Sequence, residues 1–281
     1  MDWNKTTTIL ITAFIILNIF LFGTSFNNIF SDEYNVTSDK EFVEKVEGIL
    51  KEKNIVIKGE LPDDTYMLPI LETEYEIIHI NTELLTRFLG PGIVPIEDVT
   101  VYSNNNNEVL EIKEGKKLCY KLREKTSGNV ISESITEYID EFLKEKKIVT
   151  TGYSENYRYA FDDSILVVYT KKYDDFSIDN SYMNFYFDKD GIYEFEMQNI
   201  SVVKELAEKI RTFSAIEALP RLLSFENIET KEIISVEMTY YSEEDDNWQL
   251  ISGINSYPVW KVIFNDGTQK HLSSINSYNI K

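Results

Sequence analysis

The sequence predicts an α+β protein: one N-terminal transmembrane helix, then an exported region of two related helix-plus-antiparallel-sheet modules. Three observations carry that expectation. From Thr6 to Ser31, 26 residues pass without a charge. Two amphipathic segments, beginning at Phe42 and Ile135, share 8 of 18 positions without a gap. Around them the chain is dense in β-branched and aromatic residues, interrupted by Asp-Gly turns.

The uncharged run comes first. A helix needs roughly 20 predominantly apolar residues to cross the hydrocarbon of a bilayer, so residues 6–26 are expected to span it. Residues 1–5 then form a cytoplasmic N-terminus and 27–37 a juxtamembrane linker. Lys5 precedes the run, while Asp32 and Glu33 follow it and no basic residue comes before Lys40. That charge order places the remainder outside the cell, with Trp3 and Lys5 as interfacial anchors. A cleaved signal peptide is the competing reading, with Gly23-Thr24-Ser25 as small residues at a cleavage spacing. The weakly basic start and the long apolar run favour an uncleaved anchor. Cys119, the one cysteine, lies far beyond the run, so neither a lipid-modified anchor nor an intramolecular disulfide is available.

Within the span, Asn18 falls near the bilayer midplane, where an unpaired amide is costly. Thr7, Ile11, Phe14, Asn18 and Phe22 lie on one helical face. Such a face can pack against a neighbouring transmembrane helix, with the amide bonding across.

Ser38-Asp39-Lys40-Glu41 has the form of a capping box, and Phe42, Val46, Ile49 and Leu50 continue on one helical face. This helix should stop near Lys53-Asn54 and yield to a strand, Ile55–Ile57. The second copy repeats the pattern: Ile135, Tyr138, Ile139, Phe142 and Leu143 make its apolar face. The modules are accordingly 38–128 and 129–281, with a break near Thr126–Asn129. Strands are expected at 75–80, 99–103, 109–113 and 117–122 in the first. In the second they are expected at 157–161, 165–171, 183–187, 192–197, 260–264 and 269–272. Asp188–Gly191 and Asn265–Gly267 should close hairpins. Ser201–Phe213 and Ser214–Leu223 read as helices, the latter strained or begun anew at Pro220.

The chemistry-bearing residues spell no catalytic, cofactor or metal site. The two histidines, His79 and His271, fall in strand patterns, and two histidines with one cysteine are too few for a zinc site. Asp188-Lys189-Asp190-Gly191 lacks the entry ligand and closing glutamate of an EF-hand. Glycine-rich phosphate loops and a nucleophile elbow are absent. Glu243–Asp246 is the densest acidic run and reads as a solvated loop. A balance of 28 basic against 48 acidic residues, net −20, argues against nucleic acid and against adsorption to anionic lipid. The sequence therefore describes a tethered, non-enzymatic domain.

The opening "MDWNKTTTILITAFIILNIFLF", with "AIEALPRLLSFENI", "ISVEMTYYS" and "YPVWKVIFNDG" further on, resembles the YycI family across essentially the whole chain. The last strand, "QKHLSSIN", is less aromatic than that pattern. The resemblance implies a membrane regulator of the WalK/WalR (YycG/YycF) two-component system of low-GC Gram-positive bacteria. It implies contact with the sensor histidine kinase WalK, partly through transmembrane helices, beside a YycH-like partner, with an effect on cell-wall metabolism. The alternative from the residues alone is a membrane-tethered extracellular binding protein for a peptide or cell-wall fragment.

Overall fold

The structure, a computed structural model, describes residues 40–275 except 98–99, 129, 131–133, 162, 227, 229 and 244–252. The expected span, its Thr7/Ile11/Phe14/Asn18/Phe22 face, the anchors Trp3 and Lys5 and the Ser38 cap lie outside the described residues. No helix among the described residues is long and apolar enough to cross a membrane. The chain divides into two compact units, Met1–Lys45 and Val46–Lys281. Of the first, only Lys40–Lys45 is described, as the opening of a helix.

Among the described residues, helices α1 (Lys40–Glu52), α2 (Thr82–Leu89), α3 (Ile135–Glu145) and the single turn α4 (Ala215–Ala218) punctuate fourteen strands. The strands of the first half are β1 (Val56–Ile57), β2 (Met67–Tyr75), β3 (Val94–Glu97), β4 (Val101–Ser103), β5 (Val109–Lys113) and β6 (Lys117–Lys121). Then follow β7 (Tyr153–Phe161), β8 (Ser164–Tyr173), β9 (Phe176–Asp188), β10 (Gly191–Gln198) and β11 (Ile200–Arg211). The last three are β12 (Glu232–Tyr241), β13 (Gly253–Phe264) and β14 (Gln269–Ser273).

All fourteen strands join one mixed sheet, whose main path runs β11-β2-β13-β12-β9-β10-β6-β5-β4-β3. Two long strands turn its corners by changing neighbours. β13 pairs with β2 through Gly253–Ser256 and with β12 through Tyr257–Phe264. β9 lies parallel to β12 at Ser177–Ile178 and antiparallel to β10 from Tyr182 onward. One face is covered by α2 and α3. Ile139, Phe142 and Leu143 of α3 and Leu84 and Phe88 of α2 meet alternate residues of the strands beneath, Tyr120, Phe185 and Phe195 among them. Phe142 lies 5.0 Å from Phe195 and edge-on to Phe185 at 6.1 Å. Period-2 strands and a period-3.6 helix thus present their apolar faces to each other.

The two repeated segments end their helices alike. At α1, Ile55 N–H donates to Leu50 O (3.0 Å) and Asn54 N–H to Lys51 O (2.9 Å). At α3, Ile148 N–H donates to Leu143 O (2.9 Å) and Lys147 N–H to Lys144 O (3.2 Å). These are paired Schellman bonds, and Asn54 and Lys147 occupy the left-handed position at φ 56° and 50°. The expectation of a separate antiparallel sheet in each module is corrected. β1 pairs parallel with β12, β2 lies between β11 and β13, and β6 pairs with β10. Strands from either side of residue 128 share one sheet, because a short strand such as β1 satisfies its backbone only by joining a longer one.

Other expectations change as well. Ser201–Phe213 is strand β11, not a helix. Val202, Leu206 and Ile210 recur every four residues, a spacing that suits one helical face and equally the alternate positions of a strand. Pairing with β2 decides between them. Tyr75–Ile80 is mostly loop, so His79 lies in no strand. The strand runs earlier, over Met67–Tyr75, and its Pro69 sits opposite a bulge in β11, where no ladder hydrogen bond is lost. Helix α2 and strands β3 and β12 were not expected, nor was the first half of β13. The Asp188–Gly191 and Asn265–Gly267 hairpins form as expected. Ser214–Leu223 divides as expected, into α4 with a Ser214/Glu217 capping box and a 3-10 turn, Leu219–Ser224, containing Pro220.

Asp188 joins the β9–β10 hairpin to the segment after β6. Its fully buried carboxylate receives Arg123 in a two-point ion pair and the backbone N–H groups of Thr126 (2.7 Å) and Asp190 (2.8 Å). Burial by itself raises its pKa, but Arg123 and the two N–H groups outweigh burial and lower it from 3.8 to about 2. A carboxyl depressed in the folded state contributes stability above its unfolded pKa and loses it as pH falls through the folded value. Wild-type stability should therefore decline between pH 3.8 and about 2. Asp188→Asn should be less stable at neutral pH and show a flatter acid limb, as measured by denaturant unfolding across that window.

Candidate functional site

One face of the β9-β12-β13-β14 region carries the densest polar chemistry among the described residues. Alternation along each strand builds it. β12 presents Glu237, Thr239 and Tyr241 to this side, β13 presents Tyr257, Val259 and Lys261, and β14 presents Gln269, His271 and Ser273. The register sets Glu237, Lys261 and His271 in one row and Tyr241 beside Tyr257 in another. Asp179 enters from β9, which runs parallel to β12 next to Thr239.

Lys261 is 1% exposed and Asp179 8%, so both charges are out of water and must be paired. Lys261 Nζ lies 3.2 Å from Asp179 Oδ1, forms a second ion pair with Glu237, and stands 5.4 Å from the Tyr157 ring centre. His271 Nε2 is 2.7 Å from Asp179 Oδ2, and the Thr239 hydroxyl donates to Asp179 Oδ1 at 2.9 Å. Burial raises the Asp179 carboxyl, but His271 and Lys261 outweigh it and hold it below the ordinary carboxylate value. Burial likewise lowers the Lys261 ammonium, and Asp179 with Glu237 raises it further. Each charge keeps the other ionised.

β7 lies across part of this face. The Tyr159 hydroxyl donates to Asn265 O (2.9 Å), and Tyr157 bonds Gln269. Gly267, at φ 78°, lies beneath Tyr159, where a Cβ would stand 2.7 Å from the ring. Beside the charged cluster opens a cavity of about 520 Å³, walled by Phe225, Tyr241, Tyr257, Val259 and His271. The His271 ring stacks on Tyr241, 3.7 Å between centres and 5° from parallel. A pocket with aromatic walls and a few convergent polar groups suits recognition of a small polar ligand or side chain.

Among the described residues, the Asp179–His271 pair has no free nucleophile within reach. An Asp–His pair becomes a base for a nucleophile only when a hydroxyl or thiol reaches the imidazole. Ser273 Oγ donates instead to Ile275 O, and the Thr239 hydroxyl is taken by Asp179 and Ser177 O. Cys119 lies elsewhere, on β6, where burial and then Glu196 push its thiol up to about 12, an unreactive value. Among the described residues, no group of three or more His, Cys, Asp or Glu side chains is placed to hold a metal.

The sequence-predicted interaction residues (Thr7, Ile11, Phe14, Asn18, Phe22, Trp3, Lys5) all lie outside the described residues. Sequence reading passed over Asp179 and Lys261, and placed His271 in a strand without a partner. The available signal was a charged or polar residue every second position in strands with apolar neighbours. Nothing local joins the three.

A model of the YycI family, described as YycI protein, matches residues 33–278. The fold is similar to that of an uncharacterized protein from Eubacterium rectale ATCC 33656. That match has a TM-score of 0.50 at 11% identity and covers 82% of this chain and 94% of that one. It is also similar to YycH from Bacillus subtilis, with a TM-score of 0.51 at 14% identity, covering 75% of this chain and 53% of YycH. At these identities the likeness is one of fold. No curated protein sequence matches the chain.

Proposed function

The chain belongs to the YycI family, and on that premise we propose that it is a non-catalytic regulator of a WalK-like sensor histidine kinase. In this reading residues 6–26 hold it in the membrane as a single pass, with the N-terminus cytoplasmic and the folded region outside. It acts with a YycH-like partner and adjusts cell-wall metabolism through the kinase. The observation that carries this is the extent of the family match, from residue 33 to 278, which takes in the whole described fold. The occupied hydroxyls around His271 support a binding rather than a catalytic role.

A regulator must favour one state of the kinase over another by differential contact. The Thr7/Ile11/Phe14/Asn18/Phe22 face supplies a route, because an amide at the midplane gains by bonding to a partner helix. Asn18→Leu should keep membrane insertion and weaken association with the kinase or YycH-like partner several-fold, about 1 kcal/mol. Cross-linking between spans in native membranes measures this. Unchanged cross-linking together with unchanged kinase output would reduce the span to a tether.

The aromatic cavity beside Tyr241 and His271 favours a second reading, a tethered receptor for a peptide or cell-wall fragment. Replacing the whole span with an unrelated one separates the two. A tethered receptor retains its function after that exchange, and a helix-contact regulator loses it.

A further inference from the structure

A groove between α2 and the turn after α3 carries an inference that the regulatory reading does not use. Two cavities, of about 370 and 380 Å³, share Glu83, Arg87 and Lys147 as walls. Arg87 lies in the last turn of helix α2, and Lys147 stands in the turn that closes α3. Beside them Ile77 is 43% exposed and Val149 75% exposed, with Ile148 and Leu84 deeper in the wall.

The two cations are notable for what they lack. Among the described residues, Arg87 and Lys147 form no ion pair, and no hydrogen bond reaches either side-chain charge; the Arg87 guanidinium instead lies over the Phe88 ring, 5.5 Å from its centre. Arg87 Nε is moreover buried without a hydrogen-bond partner, a state that native structures rarely leave unexplained. The nearby acids are engaged elsewhere or set apart: Glu76 accepts from Asn199, Glu145 pairs with Lys146, and Glu83 forms no ion pair with Arg87 one turn away. Helix C-termini favour cations, which accounts for positive charge at both places but supplies no acceptor for the guanidinium.

The backbone adds a separate observation. Lys147 holds φ 50°, a position where helices usually end in Gly or Asn. The equivalent turn after α1 uses Asn54. Lys147 lines both cavities.

We propose that this groove binds an acidic peptide segment of a partner protein, a carboxylate pairing with Arg87 and Lys147 while a neighbouring apolar side chain rests on Ile77 and Val149. The planar guanidinium matches a carboxylate at two points, and the apolar wall distinguishes a peptide from a bare anion.

The test uses the full chain in non-ionic detergent and fluorescent end-capped hexapeptides, each with one glutamate among leucines at varied spacing. A matched set carries glutamine instead. Fluorescence anisotropy should show binding of at least one glutamate peptide, weakened tenfold or more in its glutamine counterpart and reduced by added salt. Lys147→Asn keeps the turn geometry of Asn54 and should weaken binding about fivefold without loss of thermal stability. Arg87→Gln should weaken it more. Absence of binding by every peptide, or equal binding by both variants, would overturn the proposal. Displacement of the peptide by inorganic phosphate at equal concentration would also overturn it, showing a general anion site.

Discussion

Lys261→Ala should destabilise the protein by about 3–5 kcal/mol, the usual cost of leaving a buried charge without its partner. Lys261 is 1% exposed and faces Asp179, itself 8% exposed. Removing the ammonium leaves that carboxylate with His271 and Thr239, neither of which carries a permanent positive charge. Asp179 must then take up a proton or remain an isolated buried anion. Denaturant unfolding of the detergent-solubilised chain measures the loss. The double variant Asp179→Asn/Lys261→Met removes both charges and roughly keeps the volume, so it should be more stable than Lys261→Ala. If the double variant is the less stable of the two, the cluster is not held by charge pairing. The larger loss should also shrink at low pH, where Asp179 can be neutralised.

Trp260→Ala should cost a similar amount, about 3–5 kcal/mol, for a different reason. Trp260 is adjacent to Lys261 in β13, so its side chain points to the other face. There it is fully buried, and its Nε1–H donates to Phe213 O at 2.9 Å. This bond ties the end of β11 to the sheet just before α4 begins. Alanine leaves a cavity and an unpaired carbonyl. Trp260→Phe refills most of the space but still orphans the Phe213 carbonyl, so about 1–3 kcal/mol should remain. The difference between the two variants separates packing from hydrogen bonding. A Trp260→Phe protein as stable as wild type would mean that water or a shifted backbone satisfies Phe213.

Residues Trp260 and Lys261 also mark how far the sequence could be read. An apolar residue in a β-rich stretch before Asn265-Asp266-Gly267 is enough to expect a hairpin, and β13 and β14 form it. Helix α3 was equally readable, since Ile135, Ile139, Phe142 and Leu143 recur at helical spacing over a full face and all are buried. Helix α2 was missed although its signals were present. Asn81 caps it by accepting from Leu84 N–H at 2.8 Å, and Gly90 ends it at φ 67°. Its eight residues are short enough for a strand pattern upstream to distract from them.

By itself the sequence determined those features that neighbours within about ten residues decide: helix faces, hairpin turns, and an acidic balance that argues against nucleic acid. It also determined the family, because the motifs at both ends of the chain are local strings. Only the tertiary structure decided that residues 200–211 are a strand, since their spacing suits either conformation and β2, more than a hundred residues earlier, supplies the hydrogen bonds. Only the tertiary structure brought Asp179 to Lys261 and His271, which follow it by 82 and 92 residues. The physical reason is the same in both cases. A strand's backbone and a buried charge are each satisfied by partners distant in sequence, and the choice among such partners is made when the sheet assembles.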